Sequence, residues 1–111
     1  MKGIPQMRVH HGNGGYSEII AKSYIDETKP IYCLSSELIT RYEWVNNRPT
    51  SKIVGYCAWF TQENLEPFKV KFSNKIKLPD YLAKVEFQDL EACEVRNNVY
   101  FRASNIKEVK E

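Results

Sequence analysis

The chain has 111 residues, a formal net charge of +2, 42% hydrophobic residues and 13% aromatic residues. This length suits one domain, and the hydrophobic content excludes a disordered chain. The small net charge excludes a polycation, so any affinity for anions must come from local clusters of basic residues.

The sequence favours a cytoplasmic protein without a membrane partner. It contains no run of about 18 apolar residues of the kind that spans a bilayer. Its first residues, MKGIPQMRVHHGNGG, lack the apolar segment of a secretory signal. Cys33, Cys57 and Cys93 are odd in number and widely spaced. That spacing favours buried thiols in a reducing compartment over a disulfide framework.

We expect two regions along the chain, an N-terminal extension at 1–30 and a main domain at 31–111. The extension is expected to be poorly ordered or briefly helical. Within it, SEIIAKSYI at 17–25 fits a short helix with Ser17 as N-cap, although the same residues fit a strand almost as well.

Period-two alternation from Ile31 onward predicts five strands in the main domain. The first is long and bent near Ser35, and the five are expected at 31–45, 52–61, 68–72, 83–95 and 98–104. Gly55 predicts a bulge or a close approach of another backbone. Pro79 stands at a plausible first helical position and predicts about one helical turn between the third and fourth strands.

This order predicts an all-β protein. Five strands with a short helix between the third and fourth is the order of the OB-fold barrel, which also removes exposed sheet edges. An SH3-like barrel and an open α+β sheet are the alternatives. In the third strand Phe68, Val70 and Phe72 are expected to face the core, and the lysines between them to face solvent.

Metal, cofactor and catalytic sites are not expected. His10 and His11 are adjacent, so a strand would point them to opposite faces, and no CxxC or HxxxH spacing accompanies them. The stretch GNGG at 12–15 is not followed by the lysine and hydroxyl residue of a phosphate-binding loop. The sequence therefore favours a non-enzymatic protein.

Basic and aromatic residues carry the strongest functional signal. Between Pro67 and Pro79 there is no acidic residue, but four lysines occur there: Lys69, Lys71, Lys75 and Lys77. Such a strip suits phosphate groups, and a solvated edge that aids solubility is the alternative. Two tryptophans, seven tyrosines and five phenylalanines are more than so small a core readily hides, and we expect one of the tryptophans to be buried.

The hairpin VRNNVYFR at 95–102 places Tyr100 and Arg102 on one side of its second strand, opposite Phe101. An exposed ring can stack a base, which is worth about 1–3 kcal/mol. No recognition helix is visible, so a single strand is favoured over a duplex. The predicted nucleic-acid site consists of Tyr56, Trp59, Lys69, Lys71, Lys75, Tyr100 and Arg102.

Three stretches carry a resemblance to a known family: YEWVNNRPTSKIVGY at 42–56, KVKF at 69–72 and VEFQDLEACEVRNNVYFRASNI at 85–106. In these the chain looks like the small OB-fold single-stranded DNA-binding proteins of Gram-positive plasmids, phages and integrated mobile elements. The resemblance implies an accessory of replication or transfer that handles single-stranded DNA and binds a polymerase, primase or helicase. It also implies a nucleic-acid face that includes Tyr56, Lys69, Lys71, Tyr100 and Arg102.

A second interpretation is a protein–protein adaptor for such a replication enzyme. In that case the exposed aromatic residues form an apolar interface and the lysines only aid solubility. The sequence leaves the oligomeric state and the choice between DNA and RNA open.

Overall fold

The computed structural model describes residues 15–110, in which one short helix is followed by eight strands. The chain is therefore all-β in character, as the sequence predicted. The elements are α1 (Glu18–Tyr24), β1 (Ile31–Cys33), β2 (Ile39–Val45), β3 (Arg48–Gln62), β4 (Phe68–Phe72), β5 (Lys84–Gln88), β6 (Glu91–Val95), β7 (Asn98–Arg102) and β8 (Asn105–Glu108).

The strands form one open sheet path in the order β6-β7-β4-β3-β1-β5-β8, and β2 pairs with β3 outside that path. Strand β3 pairs with β2 and then β1 along one edge and with β4 along the other. The pair β4 and β7 is parallel, and the other strand pairs are antiparallel. The long strand β3 thus organises both halves of the sheet.

The described residues form eight strands instead of the expected five because two predicted strands are interrupted and one strand was missed. The predicted strand at 31–45 breaks at 34–38, where the Ser35 hydroxyl accepts a hydrogen bond from the Trp59 amide at 2.9 Å. The predicted strand at 83–95 breaks at Asp89, whose φ of 57° lies outside the extended region. Strand β8 follows β7 and was not predicted.

The helix predicted at Pro79 is wrong, because residues 73–83 contain no helix. Their backbone bonds to the end of β1 instead. The Leu82 amide donates to the Cys33 carbonyl at 2.6 Å, and the Cys33 amide donates to the Ala83 carbonyl at 3.0 Å. Leu82 has a φ of 69°, which a right-handed helix does not allow.

Helix α1 forms as the N-cap pattern predicted and packs against β6. The Ser17 hydroxyl accepts hydrogen bonds from the amides of Ile19 and Ile20, two donors that a helix start leaves unpaired. Tyr24 then donates to the buried carboxylate of Glu94 at 2.8 Å. Burial, and then Glu94, raise the pKa of Tyr24, so its hydroxyl keeps the proton that it donates.

Phenylalanines form the centre of the core. Phe60, Phe68, Phe72 and Phe101 are buried, and Phe87 meets Phe60 edge-on at a ring separation of 4.9 Å. The inward positions predicted for β4 and for Phe101 are confirmed. The three cysteines are buried and free, also as predicted.

The expectation that one tryptophan is buried is wrong. Trp44 is 64% exposed and Trp59 is 41% exposed. Trp59 lies between Ala58 and Phe60, which fill the inward positions of β3, so alternation turns it outward. Trp44 lies on the part of the β2–β3 hairpin that has no third strand beside it.

Gly55 has a φ of 155°, and a Cβ at this position would lie 3.0 Å from the Phe72 carbonyl oxygen. We therefore expect Gly55→Ala to lower the free energy of unfolding by about 1–3 kcal/mol, because it adds backbone strain and forces β3 and β4 apart. Urea denaturation followed by circular dichroism measures this change. Gly15→Ala is the matched control, because a Cβ there meets nothing within 4 Å. Equal unfolding midpoints for the two variants would contradict the prediction.

Candidate nucleic-acid interface

The outward side of β3, β4 and β7 gathers five of the seven predicted site residues. Trp59 on β3 is paired with Lys69 on β4, and Lys71 on β4 is paired with Arg102 on β7. Directly paired residues point to the same side of a sheet. Tyr100 shares that side because it lies two residues before Arg102. We call these five residues the aromatic-basic face.

The face consists of two rows that run across the strands. The parallel register of β4 and β7 places Lys69 level with Tyr100, so the first row reads Trp59, Lys69, Tyr100. Neighbouring strands are about 4.8 Å apart, which separates the two rings by about 10 Å across the sheet. Lys71 and Arg102 form the second row.

Each ring of the first row is covered by a lysine ammonium group. The Lys69 Nζ lies 5.5 Å from the Trp59 ring centroid, and the Lys71 Nζ lies 5.0 Å from the Tyr100 ring centroid. An exposed cation–π contact is worth about 0.5–1 kcal/mol. A stacked base is worth about 1–3 kcal/mol, so a flat ligand can displace both lysines from the rings. An ammonium group displaced in this way is available to pair with a negatively charged group of the ligand.

Arg102 is held in place from two sides. Its Nε donates to Glu91 Oε1 at 2.8 Å, and its guanidinium lies 4.0 Å from the ring centroid of Tyr16. Among residues 15–110 its Nη groups have no hydrogen-bond partner. A guanidinium oriented in this way can donate two parallel hydrogen bonds to an oxyanion.

Arg41 adds a further positive charge near Lys71. It pairs with Gly55, and its Nη1 lies 3.5 Å from the position that a Cβ on Gly55 would occupy. Burial, and then the charge of Arg41, lower the pKa of Lys71. Within the part of the chain that the structure describes, neither side chain forms an ion pair. Among residues 15–110, two cations without an ion-pair partner thus lie close together.

Two predicted site residues lie away from the face. Tyr56 pairs with Phe72 of the core and points to the inner side of β3. It is three residues from Trp59, and an odd separation along one strand places two side chains on opposite sides. Lys75 is exposed in the irregular segment 73–83, outside the strand pairing that groups the other residues.

Sequence reasoning did not include Tyr16 or Arg41 in the site. Tyr16 precedes the helix in a segment treated as a separate extension, and only the docking of α1 on β6 brings it to Arg102. Arg41 reaches Lys71 through the pairing of β2 with β3. No local pattern signals either contact, because both depend on the register between distant segments.

Comparison with known proteins gives no match, since no protein-family model, curated protein or solved structure resembles this chain closely enough to assign it. Among residues 15–110, no three histidine, cysteine or acidic side chains are placed to hold a metal ion together. His10 and His11 lie outside the described residues. No helix in that described range has the length and apolar character needed to cross a membrane.

The positive charge of Arg41 near Lys71 predicts that a substitution of Arg41 changes the pKa of Lys71. We expect Arg41→Ala to raise the pKa of Lys71, because it removes the neighbouring charge that lowers this pKa most after burial. A pH titration of the lysine side-chain NMR signals measures the change. Arg48→Ala, on the same hairpin but outside the pair, should leave the Lys71 titration as it is. A Lys71 titration that is the same with and without Arg41 would contradict this explanation of its lowered pKa.

Proposed function

We propose that this protein binds single-stranded DNA through the aromatic-basic face, without catalysing a reaction. One observation carries the proposal, namely the two outward rings, Trp59 on β3 and Tyr100 on β7, each covered by a lysine of β4, the strand between them. Unpaired bases stack on the rings, and the lysines and Arg102 contact the backbone phosphates.

The shape of the surface favours a single strand over a duplex. The side chains stand on a sheet, and α1, the one helix among residues 15–110, has only seven residues and packs on β6. Reading of a duplex usually requires an element that enters a groove. Stacking on a ring instead requires a base that is free of its partner.

The strand pairing supports an OB-like architecture as part of this proposal. If β1 with β2, β5 with β6, and β7 with β8 are each read as one bent strand, the chain has five strands. The first strand, β1 with β2, pairs with the second, β3, and with the fourth, β5 with β6. The third strand, β4, pairs in parallel with the fifth, β7 with β8. In OB-folds the surface of the second and third strands binds oligonucleotides. The corresponding strands are β3 and β4, which carry Trp59 and the two lysines.

The biological setting follows from the sequence resemblance. We propose a cytoplasmic accessory of DNA replication or transfer in a mobile genetic element. Its protein partner in that setting is a polymerase, primase or helicase that acts on the same single strand.

Binding to labelled oligo-dT, followed by fluorescence anisotropy, tests the proposal. We expect affinity to fall steeply with salt, and Lys71→Ala to reduce the slope of log K against log salt by about one. We expect Tyr100→Ala to cost about 1–3 kcal/mol of binding free energy and Tyr100→Phe to bind like the original protein, because the ring is kept.

Lys107→Ala is the matched charge control for this experiment. Lys107 lies on β8, at the other end of the sheet path from β6, and forms a salt bridge with Glu86 of β5 at 3.2 Å. The Lys107→Ala variant should bind oligo-dT with almost unchanged affinity. Absence of binding at low salt, or binding that does not respond to salt, would refute the proposal.

The β2–β3 hairpin favours a second candidate function, the protein–protein adaptor. Tyr42 pairs with Ile53, and Trp44 lies two residues further along β2; all three are exposed. An apolar patch of this kind on a projecting hairpin suits contact with another protein.

Trp44→Ala separates the two functions. The adaptor predicts that this variant still binds oligo-dT but no longer co-purifies with the protein encoded beside its gene. If Trp44→Ala retains that partner, the hairpin is not the docking surface. Loss of partner with Tyr100→Ala and Lys71→Ala, at unchanged DNA affinity, would assign the aromatic-basic face to the adaptor function.

A further inference from the structure

A shallow depression of about 540 Å³ adjoins the second row of the aromatic-basic face. Three basic side chains line it, Arg41 from β2, Lys71 from β4 and Arg102 from β7. Its volume lies within the range of about 300–1,000 Å³ that is usual for small-ligand sites. The depression can therefore hold a group larger than a single ion.

Two carboxylates also line this depression, and both are engaged. Glu91 accepts a hydrogen bond from Arg102 Nε at 2.8 Å, and Asp89 accepts one from the Ser104 hydroxyl at 2.8 Å. Arg41 and Lys71 have no carboxylate partner among residues 15–110. The lining therefore carries three basic groups against two carboxylates, an excess of one positive charge.

We propose that Arg41, Lys71 and Arg102 form a binding site for one phosphate group of the bound strand. The identification of that phosphate as part of a strand rests on the function proposed above. A phosphate at this place relieves the repulsion between the cations, and its oxygens accept hydrogen bonds that no group of the described protein accepts.

The three basic groups differ in the contact they offer. The contacts with Tyr16 and Glu91 orient the Arg102 guanidinium, so its free Nη groups can bind two oxygens of one phosphate. Lys71 supplies a compact charge without a fixed direction. Arg41 reaches the depression beside Gly55, where no side chain intervenes.

Titration with inorganic phosphate, monitored by ¹⁵N NMR, tests the site. We expect saturable shifts at the Arg102 Nε–H and the Gly55 amide, and a loss of about tenfold in phosphate affinity in Arg41→Ala. Glu91→Gln should tighten binding severalfold, because it removes a negative charge and keeps an oxygen that accepts from Arg102. Glu91→Gln thus raises the phosphate affinity that Arg41→Ala lowers, and a variant that merely failed to fold would not bind more tightly. Arg48→Ala serves as the matched control and should bind as the original protein does.

Two other probes identify the source of the phosphate. Thymidine 5′-monophosphate tests a terminal phosphate, and oligo-dT without terminal phosphates tests the internal ones. If the site receives a backbone phosphate, oligo-dT competes with inorganic phosphate, and Arg41→Ala weakens oligo-dT binding about tenfold as well.

The outcomes separate this site from the proposed function. Absence of phosphate shifts, or shifts unaltered in Arg41→Ala, overturns the site even if oligo-dT still binds through Tyr100. Saturable phosphate binding that needs Arg41, in a protein that binds no oligo-dT, supports the phosphate site and refutes the proposed function.

Discussion

Strand β3 carries hydrogen-bond ladders on both edges, to β1 and β2 on one side and to β4 on the other. Because both ladders share one backbone, the alternation of β3 fixes which side chains of its neighbours enter the core. Ala58 and Phe60 point inward together with Val70 and Phe68, which they oppose on β4. Trp59 and the lysines must then point outward. The candidate site is therefore the reverse side of the core ladder.

The chemistry of the aromatic side chains explains which of them are buried and which are exposed. Four phenylalanines are buried and a fifth packs against them, whereas both tryptophans and several tyrosines stay exposed. A phenylalanine has no polar atom that needs a partner in a dry core, but an indole or a phenol does. The exposed rings retain apolar area, and here the nearby lysines cover part of it.

The docking of α1 on β6 also affects the geometry of the aromatic-basic face. Ser17 caps α1 and forms a two-bond bridge with Ala92 of β6, at 2.9 and 3.0 Å. Tyr16 directly precedes Ser17, so the same bridge sets the position at which its ring meets Arg102. The contact between Tyr24 and Glu94 holds the other end of the helix. The segment before the main sheet thus contributes both to stability and to the orientation of one site residue.

The sequence by itself determined the features that depend on neighbouring residues: the N-cap at Ser17, the inward phase of β4, and the outward phase of Tyr100 and Arg102. Backbone alternation and capping act over a few residues, so a local pattern suffices. Only the tertiary structure decided the strand breaks, the exposure of both tryptophans, and the meeting of Arg41, Lys71, Tyr16 and Arg102. These features depend on register and burial between distant segments, and a shift of one residue in strand register would turn the side chains of that strand to the opposite face.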